Sequence, residues 1–338
     1  MNKTLYGFFI AISLCLPACR PNIGLITVEL EGVAQGTTYH ITYLEKTGKS
    51  FQAETDSLFQ AIDKSLSVYD SGSLISRINN NDTLATADKF FTDVFKRAAE
   101  ISEFTKGAFD ITVAPVYEAW MNGLMTGDEG LDSTLISGIK EITGYTRIAL
   151  VNGKVKKEMN AMSITMDGIA QGYTVDRIAA FLEEKNIRDY IVEVGGELRA
   201  KGKNSRGEPW VAGIEKPLPE KTSSRILQAE VALENRALST SGNYRHFIIY
   251  RGKRYGHIID PRTAFPVQNN LMSVSVFAPD CMTADAYATA MMVLGIENSK
   301  KILAADTSLD AYFIFSNDGI NFSTWASPRL EKILKENK

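Results

Sequence analysis

The chain has 338 residues, of which 44% are hydrophobic and 23% are charged. These fractions are those of an ordinary globular protein, and they exclude collagen-like, coiled-coil and wholly disordered chains. The net charge of -3 lacks the basic excess that a nucleic-acid-binding face requires, so no nucleic-acid partner is predicted.

The N-terminal segment is predicted to be a lipoprotein signal peptide and not part of the fold. Residues 5–16 form an apolar run that is too short for a transmembrane helix but has the length of a secretory signal. The run leads into Leu-Pro-Ala-Cys at 16–19, which resembles a bacterial lipobox. We therefore expect residues 1–18 to be removed and Cys19 to carry a lipid. This anchor would hold the protein in a membrane of the bacterial cell envelope, on the periplasmic side; the alternative is an ordinary signal peptide with a chance cysteine.

The remaining residues, 19–338, are predicted to form one domain, because no change in composition marks a linker and no internal repeat is present. Cys15 would be removed with the signal peptide and Cys19 would be lipidated. Cys281 would then be the last cysteine, and no disulfide could form. Because Cys281 directly precedes an apolar helical pattern, we favour a buried structural residue over a nucleophile.

The N-terminal half is predicted to contain a strand, several helices and a hairpin. Apolar and polar residues alternate over 38–44, which places Tyr39, Ile41 and Tyr43 on one face of a strand. Apolar residues at helical spacing and an Asn-Gly turn signal define the other elements. These are helices near 58–66, 91–104 and 169–182 and a hairpin over 148–157.

The C-terminal half is dominated by strand patterns that helices interrupt. Such runs of hairpin-linked strands predict an α+β fold with mainly antiparallel sheets and packed helices. One helix is predicted from Thr283, as its N-cap, to Leu294, a shorter one after Glu297, and another at the C-terminus. The predicted strands are 190–194, 197–200, 210–214, 226–233, 246–250, 255–259, 272–277 and 311–316.

Standard nucleotide and hydrolase motifs are absent: the chain has no G-x-G-x-x-G, G-x-x-x-x-G-K-[ST], G-x-S-x-G or HExxH. The candidate catalytic and binding residues are therefore sought in local clusters of polar and glycine residues. Residues 167–173 lead into a helix whose first N–H groups can face an anion. Asp285 and Thr289 are four residues apart on one helix face, and their oxygen atoms suit Mg²⁺ better than zinc. A structural alternative is open for each cluster, since the helix dipole also favours an aspartate in a first turn.

Two further clusters lie in predicted loops and turns. Residues 239–244 are rich in hydroxyl groups and are predicted to form a loop after a strand. A catalytic role and the satisfaction of turn backbone are both open for this loop. His257 ends a predicted strand before Asp-Pro, and it is a candidate for chemistry or for a hydrogen-bonded structural role.

The order of the clusters resembles that of the FAD:protein FMN transferase family, the ApbE-like flavin-transferring lipoproteins. The resemblance covers nearly the whole predicted mature chain. The matching segments are Gln-Gly-Thr-Thr-Tyr at 35–39, Ser-Val-Tyr at 67–69, Ser-Leu-Ile-Ser-Arg-Ile-Asn at 73–79, Gly-Ala-Phe-Asp at 107–110, Gly-Ile-Ala-Gln-Gly-Tyr at 168–173 with Asp176, Gly-Gly at 195–196, Pro-Trp at 209–210, Thr-Ser-Gly-Asn-Tyr at 240–244, His-Ile-Ile-Asp-Pro-Arg-Thr at 257–263, and the helix from Ala284 to Thr289.

The resemblance implies two closely packed lobes around a flavin cleft. It implies an enzyme that cleaves FAD, attaches FMN through a phosphoester to a threonine of an acceptor flavoprotein, a subunit of a membrane redox complex, and releases AMP. His257, as base or phosphate ligand, and Asp285 would be catalytic. The carbonyl of Gly168 would bind Mg²⁺ together with Asp285 and Thr289. The implied flavin contacts are Gln35, Tyr69, Ala108, Phe109, Asp110, Thr165, Gln171 and Ile259.

Four positions depart from the family pattern. Gln171 replaces a lysine, and Thr165 stands where the family often has an aspartate. Gln35 replaces a methionine, and Ala264 replaces a glycine. Two alternatives to transfer follow: an FAD pyrophosphatase, in which water takes the place of threonine, and a lipoprotein that binds flavin without catalysis. The metal residues argue against the second, because storage of flavin needs no Mg²⁺.

Overall fold

The computed structural model describes residues 24–126, 133–218, 226–243, 247–250, 253–318 and 321–337. The predicted signal peptide and Cys19 lie outside these residues. Within them, no helix is long and apolar enough to span a membrane. The helices are α1 Gln52–Leu66, α2 Leu74–Asn79, α3 Lys89–Phe104, α4 Ala114–Thr126, α5 Ser133–Glu141, α6 Ala170–Glu184 and α7 Cys281–Ala305. The strands are β1 Ile26–Ala34, β2 Thr37–Glu45, β3 Ile148–Val151, β4 Lys154–Lys157, β5 Tyr190–Val194, β6 Glu197–Lys201, β7 Trp210–Glu215, β8 Leu227–Leu233, β9 Arg236–Gly242, β10 Phe247–Tyr250, β11 Lys253–Gly256, β12 Ile259–Asp260, β13 Phe265–Pro266, β14 Leu271–Ala278, β15 Asp310–Phe315, β16 Ser323–Ala326 and β17 Leu334–Glu336.

The centre of the fold is an eight-stranded sheet in the order β1-β2-β5-β6-β9-β14-β15-β16. Every neighbouring pair in it is antiparallel. The predicted inner face of β2 is confirmed, because Tyr39, Ile41 and Tyr43 are all buried. The predicted α+β fold with mainly antiparallel sheets is therefore confirmed.

Apolar side chains cover both faces of the central sheet. Helices α6 and α7 pack on one face, where α7 contacts β9 and β14 and α6 contacts β5 and β6. A three-stranded sheet, β17-β8-β7, covers the other face. Strand β15 shows the division: Phe313 belongs to the helical core, whereas Tyr312 and Ile314 pack with the small sheet. The helical layer positions the residues discussed below.

Several local predictions are confirmed by the structure. The predicted hairpin is formed by β3 and β4, and its turn residues Asn152 and Gly153 have φ values of 50° and 73°. These left-handed values are those of a type I′ turn, which Asn-Gly favours. Cys281 is fully buried, which supports the structural interpretation of this residue.

Some predicted boundaries are wrong. The C-terminal helix is a short 3₁₀ turn, Leu330–Lys332, followed by β17. The apolar spacing there is helical, but Leu334 lies opposite Val231 and β17 completes the open edge of β8. The predicted loop at 239–244 is strand β9 as far as residue 242. Residues 244–246 lie outside the described residues.

The start of α7 is also corrected. Asp280 is its N-cap, because the Thr283 N–H donates to Asp280 Oδ1 at 2.8 Å, so Thr283 lies inside the first turn. The predicted second helix after Glu297 continues α7 beyond a kink at Gly295, where φ is 73°. The strand predicted at 255–259 is divided, and His257 lies between β11 and β12.

Candidate active site

Two serines of β9 face the two α7 residues that we predict to bind metal. Ser239 Oγ lies 3.5 Å from Asp285 Oδ1, and Ser241 Oγ lies 3.3 Å from Thr289 Oγ1. Two residues of a strand span about 6.8 Å and four residues of a helix span about 6 Å, so the two pairs match in spacing. The packing of α7 on β9 therefore gives two facing rows of oxygen atoms.

The first turn of α6 lies against the same part of α7. The Gly172 N–H donates to Asp285 Oδ2 at 3.0 Å. A side chain on Gly172 would overlap the Cys281 carbonyl, so glycine is required for this close approach. A Cβ on Gly168 would lie 3.3 Å from Thr289 Oγ1. The structure thus brings Gly168, Asp285 and Thr289 together, and their role as metal ligands stays a prediction.

Two buried carboxylates dominate the electrostatics of the site. Asp285 is 5% exposed and Glu197 is 7% exposed. Burial raises the pKa of Asp285, while hydrogen bonds from Gly172 and Ser239 partly oppose this shift. Burial, and then the charge of Asp285, raise the pKa of Glu197 well above its usual range. A cation beside these groups would favour their ionised forms.

The sequence reasoning missed Glu197. This residue begins β6 directly after the Gly-Gly pair at 195–196, so its position indicated only the start of a strand. Leu198 and Ala200 pack with the small sheet, whereas Arg199 reaches Asp176 of α6. The available signal was therefore two charged residues at alternate positions, 197 and 199, of a strand in a mainly apolar region.

The donor groups fit a hard divalent cation. They are carboxylate, hydroxyl and backbone oxygens, the ligands that Mg²⁺ prefers. Glu197 Oε2 is buried without a hydrogen-bond partner among the described residues, so a negative charge there would be compensated only by a bound cation. Those residues contain no group of three His, Cys, Asp or Glu suited to a metal. Mg²⁺ nevertheless fits, because it commonly keeps waters and substrate oxygens as further ligands.

The predicted flavin contacts at 108–110 line one side of this region. Ala108 and Phe109 are buried, and a Cβ on Gly168 would lie 3.3 Å from the Phe109 ring. Asp110 accepts hydrogen bonds from the backbone N–H groups of Thr112 and Tyr145, both at 2.8 Å. Burial raises the pKa of Asp110. Asp110 therefore holds this loop together, in addition to any contact with flavin.

Tyr69 and Thr165 both contact the segment that precedes α6. The Tyr69 hydroxyl donates to Asp167 Oδ2 at 3.5 Å, and the charge of Asp167 raises the pKa of Tyr69. Thr165 Oγ1 accepts from the Asp167 N–H at 3.2 Å. The ring of Tyr69 is 85% exposed beside this segment, where it can stack on a planar ligand.

The three remaining residues that the resemblance implies as flavin contacts lie in different parts of the fold. Gln171 is in the first turn of α6, and its side chain lies against the backbone of Gly195. Gln35 lies in the β1–β2 turn and donates to Asp63 Oδ1 at 2.9 Å. Ile259 is buried in a separate apolar cluster with residues of α4, and no described contact joins it to Asp285.

His257 is half-buried between β11 and β12. The preceding residue, Gly256, lies against the side chain of Asn243. Asn243 directly follows β9, the strand that carries Ser241. The chain therefore brings the backbone before His257 to the end of β9, next to the serine that contacts Thr289.

Comparisons with known proteins give the family. A profile described as the ApbE family matches residues 35–313. The chain belongs to the ApbE family. The FAD:protein FMN transferase of Haemophilus influenzae is 34% identical, over 98% of this chain and 99% of that protein. The solved flavin transferase ApbE of Vibrio cholerae has a TM-score of 0.79 and 31% identity, and it covers 91% of this chain and 99% of its own. The apo flavinyl transferase ApbE of Pseudomonas stutzeri has a TM-score of 0.79 and 26% identity. The match covers 91% of this chain and 97% of that one.

Membership of this family confirms two predictions from the sequence. The resemblance to the FAD:protein FMN transferase family is confirmed, and so is the prediction that the chain is a flavin-transferring enzyme. The roles of the individual residues stay predictions.

Proposed function

We propose that this member of the ApbE family cleaves FAD and transfers FMN, through a phosphoester bond, to a threonine of an acceptor flavoprotein. The threonine oxygen attacks the FMN phosphorus, the pyrophosphate bond breaks, and AMP leaves. Family membership supports flavin transfer, and the relatives' names support FAD as the substrate and a protein as the acceptor. The observation that carries the proposal is the meeting of Gly168, Asp285 and Thr289 at the start of α6.

Attack on a pyrophosphate requires stabilisation of negative charge and a nucleophile held in line with the leaving group. The positive end of the α6 dipole lies at this place and favours an anion. The Gly172 N–H fixes one oxygen of Asp285, and Ser241 fixes the hydroxyl of Thr289. These contacts orient the oxygen atoms before any substrate arrives.

The residues that would hold Mg²⁺ are Asp285, Thr289 and the carbonyl of Gly168. When bound, the ion would supply positive charge beside the pyrophosphate oxygens. Ala108, Phe109 and Tyr69 adjoin this region, and they would place the flavin part of FAD. The proposed Mg²⁺ dependence rests on the oxygen-rich, buried character of these groups.

We assign His257 the removal of the proton from the acceptor threonine. Its place after Gly256, which contacts Asn243 at the end of β9, supports a location near Thr289. An imidazole can accept a proton near neutral pH, as a general base requires. Binding of phosphate by His257 is the alternative role.

The proposal includes a location. Residues 1–18 would be removed and Cys19 lipidated, so residues 19–338 would form the catalytic domain on the periplasmic side of a membrane. This anchor would hold the enzyme near an acceptor subunit of a membrane redox complex. The lipobox-like segment that ends at Cys19 supports this location.

Removal of the metal and of its carboxylate tests the function. We expect EDTA to abolish the release of AMP from FAD in the presence of an acceptor, and Mg²⁺ to restore it. Asp285→Asn should reduce the rate by roughly a hundred-fold or more, the scale of a lost electrostatic contact to reacting oxygens. Asp306→Asn removes the same charge from the half-buried C-cap of α7 and is the matched control. Full activity in EDTA would show that the metal assignment is wrong.

A further inference from the structure

Glu197 is a buried carboxylate whose contacts give it no structural purpose. It is 7% exposed, and its Oε1 accepts from Ser239 Oγ at 3.3 Å. Its Oε2 has no hydrogen-bond partner, and no ion pair of Glu197 is found within the described part of the chain. Keeping a carboxylate charged at such a place is unfavourable, and so is protonating it at neutral pH to avoid the charge. Glu197 therefore reduces the stability of the metal-free protein.

Asp310 is a buried carboxylate of the same protein that does have cationic partners. It is buried too, at 2% exposed, but its Oδ2 lies 2.6 Å from Arg236 Nη1 and 2.9 Å from Arg329 Nη2. The Ser327 hydroxyl also donates to it at 2.7 Å. The difference between the two residues is that, among the described residues, no cationic side chain pairs with Glu197.

Ser239 links Glu197 to Asp285. Ser239 Oγ lies between Glu197 Oε1, at 3.3 Å, and Asp285 Oδ1, at 3.5 Å. A serine hydroxyl has one hydrogen to donate, so it can satisfy only one of the two carboxylates. The other oxygen of Asp285 already accepts the Gly172 N–H. If Ser239 donates to Glu197, Asp285 Oδ1 faces a lone pair and is open to a cation.

We propose that Glu197 is a positioning residue for the cation site, acting through Ser239. It accepts the hydrogen of the Ser239 hydroxyl, leaves Asp285 Oδ1 available to a divalent ion, and adds a second buried carboxylate whose negative charge, beside a bound cation, raises the affinity for that ion. This inference rests on the proposed Mg²⁺-dependent function. It explains why an unfavourable buried charge is present at the start of β6.

The test is Glu197→Gln, which keeps the shape of the side chain and removes its charge. In EDTA, the melting temperature of this variant should rise above that of the wild type. The stabilisation that MgCl₂ gives should need roughly ten- to a hundred-fold more ion, the usual effect of losing a group that supports a metal ligand. The Mg²⁺ concentration for half-maximal FAD cleavage should rise similarly, and by a larger factor than the loss of rate at saturating Mg²⁺. Glu197→Asp keeps the charge and should recover part of the affinity.

Asp310→Asn is the matched control, because it makes the same chemical change at a buried carboxylate with cationic partners. It should melt earlier in EDTA and leave the half-saturating Mg²⁺ concentration unchanged. A Glu197→Gln protein that melts earlier, fails to fold, or responds to Mg²⁺ like the wild type would overturn the inference while the proposed function stands. A wild type that cleaves FAD without response to Mg²⁺ would overturn both.

Discussion

Ala264 and Gln35 occupy backbone positions with φ values of 60° and 53°. This left-handed region favours glycine, because a Cβ crowds the backbone there. The glycine that the family has in place of Ala264 therefore has a physical reason, and the buried methyl group of Ala264 beside Ile259 offsets part of the strain. The exchange at 35 leaves this strain unchanged, because the methionine of the family also has a Cβ, whereas Gln171 removes a charge beside Gly195.

His257 is the residue whose chemical and structural roles separate most clearly. If it is the general base, His257→Ala should lose roughly a hundred- to ten-thousand-fold in rate while FAD binding largely survives. The wild-type rate should rise with pH as the imidazole loses its proton, and the variant should lack this rise. His40→Ala is the control, since His40 lies on the surface and pairs with Glu193. Rates and FAD dissociation constants measured together decide the role.

A parallel loss of FAD affinity and rate in His257→Ala would instead identify a phosphate ligand. A variant that melts earlier but transfers flavin at nearly the normal rate when folded would remove His257 from the mechanism. Each outcome differs in a quantity that can be measured separately: affinity, rate or melting temperature.

At the scale of elements, local signals predicted helices, strands and the β3–β4 hairpin, because capping, turn and periodicity depend on neighbours in sequence. The placement of Asp285 and Thr289 on one face of α7 could be predicted for the same reason, because it depends only on their spacing in the sequence. Glu197 could not be predicted in the same way, since its burial arises only when β6 pairs with β9 and α7 packs on both strands. Strand β17 was predicted as a helix for the same reason: the open edge of β8 is a tertiary feature.

The N-terminus of α7 is fixed by an aspartate of another helix. Asp176 accepts from the N–H groups of Cys281, at 2.9 Å, and Met282, at 2.8 Å, and pairs with Arg199 at 2.6 Å. Asp176→Ala should lower the free energy of unfolding by roughly 2–3 kcal/mol, since it leaves buried donors without a charged acceptor. Asp280→Asn keeps a capping oxygen and should change it little. Urea unfolding of both variants checks this, and equal small changes would contradict it.

At the scale of the whole molecule, a helical layer and a small sheet enclose an antiparallel sheet, and the site lies where α6, α7 and β9 meet. The antiparallel class was predictable, because short strands at hairpin spacing leave few other arrangements. The order of the strands was not, since β5, β6 and β9 pair with partners distant in sequence. A cleft for flavin could be predicted only from the resemblance to the family.

The anchor is tested separately from the fold. Cys19→Ala should leave the protein unprocessed or remove it from the detergent-soluble membrane fraction, whereas Cys15→Ala should be processed normally. A chain that begins at Arg20 should appear in the soluble fraction and be active, because Leu25 is exposed and adds little to the core. Mass spectrometry and fractionation check both variants. Loss of folding on truncation would contradict this account.

The central claim is that FMN passes from FAD to a threonine of another protein. The most direct measurement follows AMP release and covalent flavin fluorescence when the enzyme, FAD and Mg²⁺ are incubated with a flavoprotein subunit known to carry phosphoester-linked FMN, or with its threonine-to-valine variant. We predict AMP release and fluorescent labelling in equal amounts with the threonine protein, and neither with the valine variant. Equal AMP release without any acceptor would identify an FAD pyrophosphatase, and FAD binding without AMP or labelling would identify a protein that only binds flavin; either result would contradict the proposed transfer.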